Sequence, residues 1–500
     1  MEGKQATIRV LMLPWLAYGH ISPFLELAKK LAKRNFFIYL SSTQTNLVSI
    51  KEKLGEEYSL SIQLVELLLP CLPDLPPHHH TTSKLPPHLM ETLKHAFDSS
   101  AHASFSEILR TLNPDLLIYD FLQPWAPAVA SSFNIPAVEF LNIGACMNCF
   151  YKHFFEDSGA DFPFPEIYLS DFERTLFAEM GDCERLFECM RRSSKIILIK
   201  TFREIEGKWL DHLNDTIDKK MVPVGPLVQE QREEGISFGV VYAQRHSIPI
   251  RRNTMCGHSK SSDLDSGCKS HASFSGNQSS PEHLGDDLSI RLRFSIDYAI
   301  RWLDSKDPIS TVFVSFGSEY FLSEEERQEI AHGLELSKVN FIWVIRFPTG
   351  EEKNVEQELP EGFFQTVGER GLVVEGWAPQ MKILGHPNIG GFVSHCGWSS
   401  VMESMRLGVP IIAMPMHLDQ PINARLVAAL GVGVEVKRGE NDGKFGRGEI
   451  ARLIREMVKG KGGEEVRRKA KKMSDIMIKK DDEEINDVVS ELVQLCKERK

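Results

Sequence analysis

Two α/β domains facing one another across a cleft, each built on a doubly wound parallel sheet, are the architecture this chain predicts. Short apolar runs alternate with helix-like segments in the first half, and the same alternation recurs in the second. Between them lies a stretch of different composition. Five hundred residues exceed one typical core, which sets two domains as the expectation. Strands alternating with helices imply a parallel sheet covered on both faces. Ligands then sit outside the carboxyl ends of the strands, in the cleft.

In the first half the strand-like runs are 7–13, 36–42, 116–119 and 195–200, with a helix over 21–34. In the second they are 311–315, 341–346, 372–375, 390–394 and 411–414, and the charged tail from Glu464 to Lys500 reads as helix. The division expected is 1–228, a linker or insertion over 229–297, a second domain over 298–478, and a C-terminal helix over 479–500 packing back on the first domain. The 229–297 stretch is rich in Ser, His, Gly and Arg and lacks sustained periodicity, the signature of a chain that cannot bury a core. Within it Cys256, His258, Cys268 and His271 have only loosely metal-like spacing. Asp263-Leu264-Asp265 spells a D-x-D but sits among serines rather than at a strand end. Neither is read as a metal site, and none is expected.

Bulk properties narrow the function classes. A net charge of −11 argues against a nucleic-acid partner, which normally needs a basic excess. Nine cysteines without framework spacing read as reduced thiols. The start lacks the pattern of a secretory signal, since the 7–13 run is short and breaks at Pro14, and no apolar stretch is long enough to span a bilayer. A cytoplasmic monomer, at most peripherally membrane-associated, is expected.

The richest segment is 377–420, WAPQMKILGHPNIGGFVSHCGWSSVMESMRLGVPIIAMPMHLDQ. Its 390–394 strand feeds a tight turn, His395-Cys396-Gly397-Trp398-Ser399-Ser400, which opens a helix carrying Glu403. Free N–H groups and the helix dipole converge at such a turn, which suits a diphosphate. Trp377 can stack on a planar base, Glu403 can accept from ribose hydroxyls, and Asp419-Gln420 can grip a sugar. Nearer the start, His20 lies between the first strand and first helix. A helix N-terminus disfavours the imidazolium, which suits a general base. Asp120 ends the strand 116–119 and can reach that loop, whereas Asp115 at the strand's start points to the far edge. A carboxylate behind an imidazole fixes its tautomer and stabilises its cation.

The 377–420 segment resembles the donor-binding box of the plant family-1 UDP-glycosyltransferases over its whole length. The resemblance implies a GT-B fold, a UDP-sugar as co-substrate with no further cofactor, inverting transfer to a small-molecule hydroxyl, and no metal. It assigns His20 and Asp120 as the catalytic dyad. Donor contacts fall to Ser318, Trp377, Ala378, Gln380, His395, Gly397, Trp398, Ser399, Ser400, Glu403, Asp419 and Gln420. On this reading positive helix ends and His395 take the part of a divalent cation. Gln420 resembles the glucose-using members, so UDP-glucose is the expected donor. Ser399 stands where many relatives carry Asn. That serine, with the runs FGSEYFLS at 316–323 and NFIWV at 340–344, resembles the branch-forming group that adds sugar to a sugar already on a glycoside. Triterpenoid glycosides of the mogroside type, or flavonoid glycosides, are the acceptors implied. His78-His79-His80 lies in a Pro-rich loop placed either beside the acceptor pocket or in solvent. Two other readings stay open at this point: transfer to an aglycone such as a flavonoid, and a UDP-sugar-binding protein impaired by its insertion. A nicotinamide dehydrogenase is excluded, because Gly431-Val432-Gly433 lacks the third glycine of the dinucleotide turn.

Overall fold

The computed structural model describes residues 7–83, 85–156, 161–178, 183–229, 239–244, 289–293, 296–348, 353–439 and 443–498. The metal-like residues between 256 and 271, including Asp263 and Asp265, lie outside them.

The first sheet contains β1 (Ile8–Leu13), β2 (Phe36–Ser42), β3 (Ile62–Glu66), β4 (Leu116–Asp120), β5 (Ala137–Leu141), β6 (Ile196–Ile199) and β7 (Lys220–Pro223), in the order β3-β2-β1-β4-β5-β6-β7, all parallel. β4, β5 and β6 are buried throughout, as strands covered on both faces must be. The order reverses between β1 and β4, where Leu13 pairs with Tyr119. The expected strands are present. The first helix, Tyr18–Ala32, begins three residues before the predicted start, which puts His20 inside its first turn.

The second sheet contains β8 (Gly239–Gln244), β9 (Ser289–Arg293), β10 (Thr311–Ser315), β11 (Asn340–Ile345), β12 (Gly371–Gly376), β13 (Ile389–Ser394), β14 (Ile411–Ala413) and β15 (Gly433–Glu435). Its order is β15-β14-β13-β10-β11-β12-β8-β9, with a second reversal between β10 and β13, where Ser315 pairs with Ser394. β8 and β9 correct the expectation that 229–297 is all linker. They pair antiparallel with each other, and β8 runs antiparallel along β12. The physical reason is the open edge of β12, whose backbone groups need partners. Tyr242 is buried there, its hydroxyl donating to Glu375 Oε2 at 2.8 Å.

Apolar clusters line both faces of each sheet, and a further cluster joins the two halves, from Ala145, Phe150 and Trp209 to Trp398, Met402 and Leu426. The final helix is one element, Lys461–Glu498, so the boundary expected at 478/479 falls inside a continuous helix. Ala470 and Met477 pack on the joining cluster, while Ile485, Val488 and Leu492 form a stripe on the first domain's core. Arg34–Asp482 at 2.8 Å and Lys195–Glu498 at 2.7 Å flank that stripe.

Candidate active site

Each sheet reverses its strand order once, and each reversal carries half of the site. In the first domain the first turn of the helix after β1 delivers His20 and the end of β4 delivers Asp120. His20 Nδ1 lies 2.8 Å from Asp120 Oδ2. Asp120 is fully buried, and its Oδ1 accepts from the Leu122 N–H at 3.3 Å. The imidazole keeps 19% exposure and lies 5.2 Å from the Phe121 ring. Burial works against its charge, but Asp120's carboxylate, with Glu319 and Asp419 behind it, outweighs burial and raises the pKa above the ordinary value. The expectation that the helix end keeps the ring neutral is corrected: the carboxylates decide the direction.

In the second domain the loop after β10 carries Ser318, which is exposed, and the turn after β13 carries His395. Gly317 and Gly397 crowd the His395 ring. A Cβ at either would come within 2.5 Å and 2.6 Å of His395 Nε2, and Gly317 also has φ +77°, so only glycine allows that approach. Burial, with His417 beside it, holds the His395 pKa down to about 3. His395 is therefore a neutral hydrogen-bonding group, which corrects its expected role as a stand-in for a cation.

Trp377 is 51% exposed, as a stacking platform requires, while Ala378 is buried. Gln380 Nε2 donates to Ser400 Oγ at 3.1 Å and to Glu403 Oε2 at 2.7 Å. Burial raises the Glu403 pKa against that hydrogen bond and the nearby Lys200 charge. Asp419 accepts from Asn423 Nδ2 at 2.7 Å, and burial pushes its pKa up to about 6. Gln420 spends its carbonyl oxygen on the Met416 and His417 N–H groups at 2.9 and 3.1 Å, which leaves its amide nitrogen for a sugar hydroxyl. Trp398 differs from the expectation: its indole is buried between the halves, with Nε1 donating to the Lys200 carbonyl at 2.6 Å. Any donor contact it makes falls to its main chain. Contacts between the halves, Thr82 Oγ1 to Glu319 Oε1 at 3.3 Å and Lys200 Nζ to Ser399 Oγ at 2.8 Å, set both switch points around one cleft.

Two switch points, one holding a His–Asp pair and the other a helix-opening turn, match known proteins over the whole chain. Residues 6–229 match the family described as "Glycosyltransferase, N-terminal domain" and residues 303–455 match "UDP-glucoronosyl and UDP-glucosyl transferase". Mogroside IIIx synthase of Siraitia grosvenorii is 48% identical, the alignment covering 97% of each chain. This chain belongs to the plant family-1 UDP-glycosyltransferases. The glycosyltransferase is also 46% identical to β-D-glucosyl crocetin β-1,6-glucosyltransferase of Gardenia jasminoides, over 97% of this chain and 99% of that one. Its fold matches the crystal structure of Glycyrrhiza uralensis UGT73P12 complexed with glycyrrhetinic acid 3-O-monoglucuronide, with a TM-score of 0.77 at 23% identity over 99% and 96% of the two chains. The GT-B architecture stands.

Several groups of this glycosyltransferase's cleft escaped the sequence reading. Lys200, following β6, donates from Nζ to Ser399 Oγ at 2.8 Å. A lysine closing an apolar run at a strand's carboxyl end was a legible signal. Glu319 accepts from Thr82 Oγ1 at 3.3 Å, bringing the loop after the histidine run across to the second domain. That loop borders the cleft, and His80 within it is buried with Nε2 3.2 Å from the Leu75 carbonyl oxygen. Glu206 caps the helix Ala145–Glu156 through the Ala145 and Cys146 N–H groups at 2.9 and 2.7 Å. Nothing in its local sequence marked it.

Proposed function

We propose that this enzyme transfers glucose from UDP-glucose to a sugar hydroxyl of a plant glycoside, a triterpenoid glycoside foremost, with inversion and without a metal. The His20–Asp120 contact at 2.8 Å carries the reading. His20 Nε2 takes the proton of the acceptor hydroxyl as its oxygen attacks the anomeric carbon. Asp120 holds the opposite nitrogen as donor and stabilises the imidazolium that forms. The bond from the anomeric carbon to the β-phosphate oxygen breaks, and its electron pair leaves with UDP. Trp377 stacks on the base, Gln380 and Glu403 take the ribose, Ser318, His395, Gly397, Ser399, Ser400 and the main chain at Trp398 face the diphosphate, and Asp419 with Gln420 hold the sugar. Residues 1–228 form the acceptor domain, and the second sheet with β8 and β9 forms the donor domain, from which the helix Lys461–Glu498 returns to the first.

The activities of two relatives support the acceptor class: one acts on a glucosyl crocetin and the other makes a mogroside. Among the described residues no helix is long and apolar enough to cross a membrane, and Cys71, Cys146, Cys149, Cys189, Cys396 and Cys496 are free thiols. We take the enzyme to be a monomer working in the cytoplasm, where free thiols persist. The test is to identify the product of the purified enzyme with UDP-glucose and a panel of triterpenoid and flavonoid aglycones and their monoglucosides. A new glucose on an existing sugar of the triterpenoid glycosides is expected. Transfer to aglycones alone overturns the reading.

A further inference from the structure

The turn 395–400 itself carries no Lys or Arg at the place where the proposed reaction most needs a positive charge. When the anomeric C–O bond breaks, about one unit of negative charge appears on the departing diphosphate, whereas a helix N-terminus supplies only about half a positive charge. His395 beside it is neutral. Arg346 is committed to main chain, donating to the carbonyls of Gly317 at 3.4 Å and of Ser318.

Lys200 does reach the turn. It comes from the other domain, is 2% exposed, and places its ammonium 2.8 Å from Ser399 Oγ, in the first turn of the helix Trp398–Leu407. Its backbone is held from the same side, since Trp398 Nε1 donates to its carbonyl at 2.6 Å. The next residue, Thr201, is tied to Glu206 through its hydroxyl, and Gly144 leaves the gap in which Glu206 and the Trp398 ring meet. Main chain and side chain are both fixed before any ligand arrives, the condition under which a charge stabilises a transition state without reorganisation. Burial lowers the lysine's pKa, and the charges of Glu403 and Glu26 oppose that fall.

We propose that Lys200 is a diphosphate-neutralising residue of the donor site, supplied across the domain interface, whose ammonium shares the Ser399 hydroxyl with a phosphate oxygen of the UDP-sugar. Two N–H groups of the ammonium remain beyond the one on Ser399. A charge-assisted bond to phosphate is stronger than the neutral one it joins.

This rests on the donor-site reading above, and the experiment separates the two. Uridine and UDP are titrated calorimetrically into the full-length wild-type enzyme and into Lys200→Gln. The wild type should bind UDP more tightly than uridine; if it does not, the donor-site reading fails and the proposal falls with it. Lys200→Gln should lower the ratio of UDP to uridine affinity by about tenfold or more, the scale of a lost charge-assisted contact, while uridine affinity stays within a few-fold. A ratio equal to the wild type's, whether both affinities hold or both fall together, overturns the proposal, because a merely structural lysine would act on both ligands. A raised ratio overturns it too, showing a lysine that obstructs the phosphate site. Should Lys200→Gln not fold, Lys200→Gln with Glu403→Gln removes the cation and its carboxylate neighbour together. The same ratio is read, and it does not depend on ribose contacts common to both ligands.

Discussion

Leu13 and Tyr119 are registered partners on parallel strands β1 and β4, and this pairing brings His20 and Asp120 together across a sequence separation of 100 residues. Each functional residue lies just beyond the registered pair, on the carboxyl side where the strand order reverses. The donor half repeats the device with Ser315 and Ser394, beyond which lie Ser318 and His395. The six-strand orders β3-β2-β1-β4-β5-β6 and β12-β11-β10-β13-β14-β15 correspond, and they present a His–Asp pair and a helix-opening turn at equivalent reversals.

Replacing His20 by Ala should reduce turnover by about 10²–10⁴-fold, the usual contribution of a positioned general base. UDP affinity should persist, because His20 makes none of the proposed UDP contacts. A loss of only a few-fold in single-turnover rate would remove His20 from the mechanism.

The pH profile follows from the sign of the His20 shift. The base must be neutral, and its pKa is raised, so kcat/KM should fall as pH drops through a limb above the ordinary histidine value of about 6.5. Asp120→Asn removes the charge that raises it, which should move the limb to lower pH and cut the plateau by up to about 10⁴-fold. An unmoved limb would assign it to another group.

Gly317→Ala should weaken UDP binding by about tenfold. The position has φ +77°, where a side chain costs about 1–2 kcal/mol, and the new Cβ would lie 2.5 Å from His395 Nε2. Calorimetry with UDP reads the displaced imidazole. Unchanged affinity would mean His395 does not contact the diphosphate.

Activity should persist in EDTA, because the proposed donor site relies on the helix-opening turn, neutral hydrogen-bond donors and the Lys200 ammonium. Abolition by chelator and restoration by Mn would return Asp263 and Asp265 to consideration.

Shortening 245–288 to a turn of about four residues, with β8 and β9 retained, should leave turnover and thermal unfolding unchanged. Deleting 230–295, which strips both strands from the β12 edge, should lower the unfolding temperature. Equal effects of the two deletions would mean the hairpin adds nothing to the sheet.

Where apolar runs are continuous and bounded by turn residues, the sequence determined the elements by itself, because strands buried on both faces are built chiefly from apolar residues. The 36–42 and 311–315 runs were legible to the residue, and the WAPQ-to-HLDQ segment announced a donor turn. Weaker patterns were not legible: the residues of β9 alternate polar and apolar like any surface stretch, and only the unpaired edge of β12 makes β8 and β9 strands. The electrostatics of the site were likewise decided in three dimensions. The same helix-start position suggested a neutral His20, yet carboxylates arriving from β4 and from the second domain reverse the direction. His395, read as a helper of charge, loses its proton to burial. Trp398 and Lys200 acquire their places only when the halves dock, since a hydrogen bond from indole to carbonyl and one from ammonium to hydroxyl span that contact. Local pattern fixes which residues can form strands and turns. Which charges face one another depends on how distant segments pack, and that information is distributed over the whole chain.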